Sequence, residues 1–174
     1  MLIFTALMCM TYVSLDLPNQ KIMCQNASQI ERSAAENGLD PYTLVALVYV
    51  ESGWTPSAVS SAGACGLTQV LPKYSAGYRN RFGRKLTCKD LKNPKTSIKR
   101  GAKILAWWVK YHDGNLDRAL CSYNAGFRCK TTKKRKAPHP AGMRYSRKVR
   151  KWSKILNQKS RILDRDTEVK KRAR

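Results

Sequence analysis

Residues 40–72 read DPYTLVALVYVESGWTPSAVSSAGACGLTQVLP, and most of the information about fold and function lies in this stretch. Asp40 and Pro41 are typical of an N-cap followed by the first position of a helix. The apolar residues after them predict a helix with one buried stripe, which ends at Gly53. A turn rich in glycine and alanine follows, and such a turn lets the backbone approach a ligand closely. Glu51 therefore stands at the C-terminal end of a helix, just before a tight turn.

The position of Glu51 makes it a candidate general acid. Burial and the negative end of the helix dipole both disfavour a charged carboxylate, so both raise the pKa of Glu51. A raised pKa allows a carboxylic acid to hold its proton near neutral pH. On spacing alone, a solvent-facing glutamate at a helix end is the simpler interpretation.

Helix signals recur along the rest of the chain, and strand signals are almost absent. Asn26 is expected to cap one helix, the Asn-Pro pair at 93–94 to start another, and Asn115 to cap a third that ends at Gly126. An amphipathic helix follows, with apolar side chains from Tyr145 onwards at spacings of 4, 3 and 4. The predicted fold class is mostly α.

Charge divides the 174-residue chain unevenly, and the formal net charge is +23. Residues 1–127 hold 15 basic and 8 acidic side chains, whereas residues 128–174 hold 19 basic and 3 acidic ones. We expect an apolar N-terminal segment at 1–25 (a packing helix or an export signal), a folded domain at 26–157, and a basic, mobile tail at 158–174. Nucleic acid, an anionic membrane surface or an acidic cell-wall polymer would attract such a chain. A membrane-spanning helix is not expected, because no apolar run is long enough.

The six cysteines form no C-x-x-C pair and stand apart from the two histidines. We therefore expect no metal site and no cofactor. Disulfides in an oxidising compartment are favoured over buried thiols, and sequence alone leaves their pairing open.

Three segments in order resemble the catalytic domain of the soluble lytic transglycosylases, which has a goose-type-lysozyme-like fold. The Glu51 segment follows the pattern E-S-x-x-x-P-x-A-V-S-x-x-G-A-x-G-L-x-Q-x-x-P. Residues 91–105 (LKNPKTSIKRGAKIL) and 120–126 (LCSYNAG) are similar to two further segments of that family. The resemblance covers residues 26–157 and implies a single lysozyme-like domain, to which a basic C-terminal extension is attached.

The resemblance implies that Glu51 is the single catalytic acid/base. It implies further site residues: the substrate-contacting Ser60 and Gln69, the Tyr123–Asn124 pair beside the glutamate, and Gly63 and Ala64 in the loop, with Trp54 as a sugar-facing candidate. Thr68 and Ser97 depart from the Met and Asn that the family often has. In this context, Cys121–Cys129 and Cys65–Cys88 are the predicted disulfides.

The implied reaction is cleavage of the β-1,4 bond between N-acetylmuramic acid and N-acetylglucosamine, with formation of 1,6-anhydro-muramic acid. Glu51 would act first as acid and then as base. A hydrolase normally needs a second carboxylate, and the only other one between Glu51 and His112 is Asp90. The alternatives are a lysozyme-type muramidase and a basic, nucleic-acid-associated or virion structural protein with a vestigial site.

The expected partner is the peptidoglycan glycan strand. The basic C-terminal part is expected to contact an anionic polymer, with nucleic acid as the secondary candidate. The resemblance implies action in the bacterial periplasm or cell wall. Phage carriage and export both remain open.

Overall fold

The computed structural model describes residues 2–72, 86–133 and 136–172, and it is dominated by helices. The helices bounded within these ranges are α1 (Leu2–Ser14), α2 (Gln20–Ala35), α3 (Pro41–Ser52), α4 (Cys88–Leu91), α5 (Pro94–Tyr111), α6 (Leu116–Ala125), a 3₁₀ turn (Gly126–Cys129) and α7 (Pro140–Arg172). In the described ranges, extended pairing is confined to isolated bridges that join Cys65 to Val59 and Val70. The prediction of a mostly α fold is confirmed.

Helix α3 lies at the centre of the core. Its predicted bounds are confirmed, since the Asp40 carboxylate accepts a hydrogen bond from the Thr43 amide at 2.7 Å and Gly53 ends the helix at φ 55°. Every side chain of residues 42–48 is buried, rather than one stripe. Helices α2 and α7 pack against α3, and a helix that is apolar on all sides is expected to be enclosed in this way.

Helix α7 is the longest element and packs against α1, α3 and α6. Helix α7 continues to Arg172, beyond residue 158, where the tail was expected to begin. Ser160 is buried, and its hydroxyl is hydrogen-bonded to that of Tyr42 on α3. Once the amphipathic part of α7 has formed, each added residue costs little free energy, and the Lys, Arg and Leu that follow are good helix formers. The mobility of residues 158–174 stays a prediction.

The N-terminal segment packs as a helix. Helix α1 lies against α2 and α7, and a disulfide that the sequence did not predict joins Cys9 to Cys24. Asn26 is not a cap: α2 begins at Gln20, and the Asn26 amide donates to the Ile22 carbonyl at 2.8 Å. The expected boundary between residues 25 and 26 therefore falls inside α2. In the parts of the chain that the structure describes, no helix has the length and apolarity needed to cross a membrane.

Candidate active site

Glu51 lies in the last turn of α3, half-buried, and contacts α7 directly. The Tyr145 hydroxyl donates a hydrogen bond of 2.6 Å to Glu51 Oε1. Burial raises the pKa of Glu51 to about 7, and the hydrogen bond from Tyr145 lowers it by a smaller amount. The predicted direction of the pKa change is confirmed. Near neutral pH, the carboxyl group can therefore both give and accept a proton.

Tyr145 is the site residue that the sequence reasoning missed. The spacing placed it on the apolar face of its helix with Val149 and Leu156, which are indeed buried. The sequence offered one sign of its role: Tyr145 carries the only hydroxyl group on a helix stripe that otherwise consists of Val149, Trp152 and Leu156. Burial and the neighbouring charge of Glu51 hold the pKa of Tyr145 well above its usual range. Tyr145 therefore remains a hydrogen-bond donor to the carboxylate at all physiological pH values.

Two hydroxyl groups hold the loop after α3, residues 58–70, against the helix ends. The Tyr123 hydroxyl, on α6, donates to the Thr68 carbonyl at 2.8 Å. The Ser52 hydroxyl, next to Glu51, donates to the Leu67 carbonyl at 2.8 Å. Burial and the charge of Glu51 hold the pKa of Tyr123 well above its usual range, which places its phenol within electrostatic reach of the carboxylate. The end of α3 and helix α6 thus both hold the 58–70 loop beside Glu51.

Ser60 and Gln69 stabilise the 58–70 loop from within. The Ser60 hydroxyl oxygen accepts from the Ala64 amide at 3.0 Å. The Gln69 side-chain nitrogen donates to the carbonyls of Gly66, at 2.9 Å, and Ala58, at 3.3 Å. Ser60 is exposed and Gln69 half-buried. Their contact with a substrate stays a prediction.

The two glycines of the loop serve different purposes. Gly66 has φ 76°, and a Cβ at this position would lie 1.9 Å from the Leu91 carbonyl oxygen, so α4 packs directly on its backbone. Gly63 has φ 79° but open space around it, so only its conformation favours glycine. Of the other residues predicted to line the site, Ala64 is buried and Asn124 is exposed. Only Gly66 is therefore required by close packing.

The two departures from the family pattern contact each other beneath the loop. The Thr68 amide donates to the Ser97 hydroxyl oxygen at 3.1 Å, and the Thr68 hydroxyl donates to the Ser97 carbonyl at 2.8 Å. Both side chains are fully buried. A Cβ on Gly101 would lie 2.5 Å from the Thr68 side chain, so α5 approaches it as closely as backbone allows. Each residue satisfies the buried polar groups of the other.

The prediction that Trp54 faces a sugar is wrong. Its side chain is fully buried and packs edge to face against Tyr12 of α1, with 6.1 Å between ring centroids. The backbone of Trp54 has φ 62°, and the indole lies in the core rather than on the surface. Trp54 therefore anchors the start of the loop.

Both predicted disulfides are confirmed. Cys65–Cys88 joins the 58–70 loop to α4, and Cys121–Cys129 joins α6 to the 3₁₀ turn after it. Gly142 of α7 packs on the second bridge, where a Cβ would lie 2.6 Å from Cys121 Sγ. Both bridges restrict the unfolded chain on the C-terminal side of Glu51, and they indicate an oxidising compartment.

Two carboxylates that follow Glu51 in the chain have structural contacts of their own. Of its 11 Asp and Glu, Asp90 forms a capping box with Thr87 at the start of α4. Asp117 lies 3.5 Å from Arg150. Burial and Tyr145 account for the pKa of Glu51, with no other carboxylate among its causes. In the described ranges, no group of three His, Cys, Asp or Glu side chains could hold a metal ion.

A family model described as the transglycosylase SLT domain matches residues 28–145, more than half of the chain. The chain belongs to this family. The matched range begins inside α2 and ends at Tyr145, so it contains both Glu51 and its hydrogen-bond partner.

Two relatives agree with the SLT assignment, and a solved structure shares the fold. The chain is 38% identical over 79 residues to the endo-type membrane-bound lytic murein transglycosylase A of Klebsiella pneumoniae and to that of Salmonella paratyphi B. Each match covers 44% of this chain and 39% of the relative. The fold matches that of an inactive Glu-to-Gln mutant of lytic transglycosylase Slt from Pseudomonas aeruginosa, with a TM-score of 0.67 and 22% identity over 87% of this chain and 30% of that one.

Proposed function

We propose that this SLT domain is a murein lytic transglycosylase, which cleaves the β-1,4 bond between N-acetylmuramic acid and N-acetylglucosamine in peptidoglycan. The observation that carries the proposal is a single half-buried carboxyl group, Glu51, with a pKa of about 7 and a tyrosine donor at 2.6 Å. The relatives named as lytic murein transglycosylases support the choice of substrate.

In the first step, protonated Glu51 gives its proton to the glycosidic oxygen as the bond to C1 of muramic acid breaks. The carboxylate that is left accepts the Tyr145 hydrogen bond, which favours the charged form. The acetamido oxygen of the muramic acid stabilises the positive charge at C1. A second protein carboxylate is not required for this route.

In the second step, the Glu51 carboxylate takes the proton from the 6-hydroxyl of the same muramic acid. The oxygen at C6 bonds to C1 and closes the 1,6-anhydro ring, and Glu51 is again protonated. No water is consumed, and the nucleophile belongs to the substrate, so the step gains from proximity. A pKa near 7 suits both steps, because the same group must lose and regain a proton.

We place this reaction at the bacterial cell wall. Three disulfides fit an oxidising compartment such as the periplasm. The net charge of +23 draws the chain towards anionic polymers. Carriage in a phage virion and secretion remain alternative routes to the wall.

The test is mass spectrometry of purified murein digested with the wild type, with Glu51→Gln and with Glu36→Gln. Glu36 is exposed at the end of α2 and gives the same change of charge. We expect anhydro-muramic ends from the wild type and from Glu36→Gln, and a loss of at least about 100-fold with Glu51→Gln.

Other products would select another function. Only reducing muramic acid ends would identify a lysozyme-type hydrolase. No cleavage by the wild type, together with salt-dependent binding of nucleic acid, would favour the basic binding protein with a vestigial site.

A further inference from the structure

A second concave site lies on the side of α7 that the proposed reaction does not use. It is a groove of about 660 Å³ that also includes Asp117 of α6. Four cationic and two apolar side chains contribute most of its lining: Arg147, Arg150, Lys151, Lys154, Met143 and Ile155. We call this feature the α7 groove.

The α7 groove has a surplus of positive charge. Asp117 is paired with Arg150 at 3.5 Å. Within the described residues, no carboxylate lies within ion-pair distance of Arg147, Lys151 or Lys154. Residues 144–161 contain eight Lys or Arg side chains and no Asp or Glu. Such a one-sided distribution raises the local concentration of anions.

The groove faces away from Glu51. At 100° per residue, Arg147, Lys151 and Lys154 lie roughly 180–240° around α7 from Tyr145. Tyr145 contacts Glu51, whereas the three cations are exposed. A ligand in the groove would therefore leave the candidate active site uncovered.

We propose that the α7 groove binds an acidic, amphipathic segment of a partner protein. Arg147 and Arg150 offer planar forks that match carboxylates, and Lys151 and Lys154 continue the positive stripe along the helix. Met143 and Ile155 add apolar surface, which an acidic segment with interspersed apolar residues would cover. The groove is concave, so it fits a chain better than a flat bilayer surface. A phosphodiester backbone would match the positive charge but carries no aliphatic side chains to cover Met143 and Ile155.

The test is fluorescence anisotropy at 150 mM salt with three labelled probes and phosphatidylglycerol vesicles. The first probe is an 18-residue peptide that repeats Glu at positions i and i+4. Its Leu residues lie along one face of the helix that the peptide can form. The second is a peptide with the same number of Glu residues and Ser in place of Leu. The third is an 18-nucleotide single-stranded DNA.

Two charge variants of the full chain isolate the groove from net charge. The groove variant is Arg147→Gln, Lys151→Gln and Lys154→Gln, and glutamine keeps the helix propensity. The matched control neutralises three exposed lysines before and within the start of α5: Lys92, Lys95 and Lys99. Circular dichroism and thermal melting verify that both variants fold.

We expect the Glu/Leu peptide to bind the wild type, and its affinity to fall at least tenfold in the groove variant and less than threefold in the control. Ile155→Ser should weaken binding of the Glu/Leu peptide but leave the Glu/Ser peptide unaffected. Equal losses in both charge variants would show that only net charge matters and would overturn the proposal. Groove-dependent binding of the DNA or the vesicles that is tighter than that of the Glu/Leu peptide would overturn it as well.

Discussion

Replacing Glu51 with glutamine should stabilise the folded protein at pH 8 and leave its stability unchanged at pH 4. Burial raises the pKa of Glu51 from 4.5 to about 7. At about 1.4 kcal/mol per pKa unit, the ionised group destabilises the folded state by about 3 kcal/mol. This is an upper value, because a half-buried carboxylate keeps some contact with solvent.

The sign follows from the order in which the two states lose the proton. Below pH 4.5, Glu51 is protonated in the folded and unfolded chains, and its ionisation has no effect on stability. Between pH 4.5 and 7, the unfolded chain loses the proton first, so the folded state becomes progressively less stable. Above pH 7, the full effect is present. Glutamine cannot ionise and removes the effect.

The assay is denaturant and thermal unfolding of the wild type and Glu51→Gln at pH 4 and pH 8, with the disulfides intact. For a chain of this size, 1 kcal/mol moves the Tm by about 2–4 °C, so we expect a rise of about 6–12 °C at pH 8. Glu36→Gln, at an exposed position, should change stability by less than about 0.5 kcal/mol at either pH. An equal effect of Glu51→Gln at both pH values, or a loss of stability at pH 8, would refute the reasoning.

Four further substitutions test the surroundings of the carboxyl group, the 58–70 loop and the contact of α7 with a disulfide. Tyr145→Phe removes the hydrogen-bond donor that lowers the pKa of Glu51, so the Glu51 carboxyl group should titrate above pH 7 in ¹³C NMR. A midpoint below that of the wild type would contradict the geometry. Gly66→Ala forces a Cβ to within 1.9 Å of the Leu91 carbonyl oxygen, so it should reduce the free energy of unfolding by about 3–5 kcal/mol. Gly63→Ala, in open space, should reduce it by about 1 kcal/mol in the same denaturation assay. Gly142→Ala presses on a disulfide sulfur at 2.6 Å and should lower stability by about 1–3 kcal/mol, and unchanged melting would show that α7 can shift freely.

The local signals of the sequence were reliable where neighbouring residues decide the structure. The Asp40-Pro41 start and the Gly53 end of α3 are set by capping and by φ preferences, which act over a few residues. The same holds for Asn93 and Asn115, which cap α5 and α6 as predicted. The pKa rise of Glu51 was also predictable, because an apolar run precedes it directly.

Other features depended on partners far away in the chain. Trp54 follows the Glu51 motif closely, yet it is buried because Tyr12 of α1 packs against it. Asn26 has the chemistry of a cap but lies within α2, which continues on both sides because the helix packs against α1 and α5. Neither outcome is encoded in the adjacent residues.

The sequence by itself determined the helical class, and its motifs indicated the family and made Glu51 the candidate acid. Two of the three disulfide pairs followed only from the family resemblance. Only the tertiary structure decided that Tyr145, distant in sequence, donates to that acid at 2.6 Å, and that the basic charge of α7 lines a groove on its other face. The physical reason is that capping, helix periodicity and motif spacing act along the chain. Burial, hydrogen bonding and electrostatic potential instead depend on which helices meet in space.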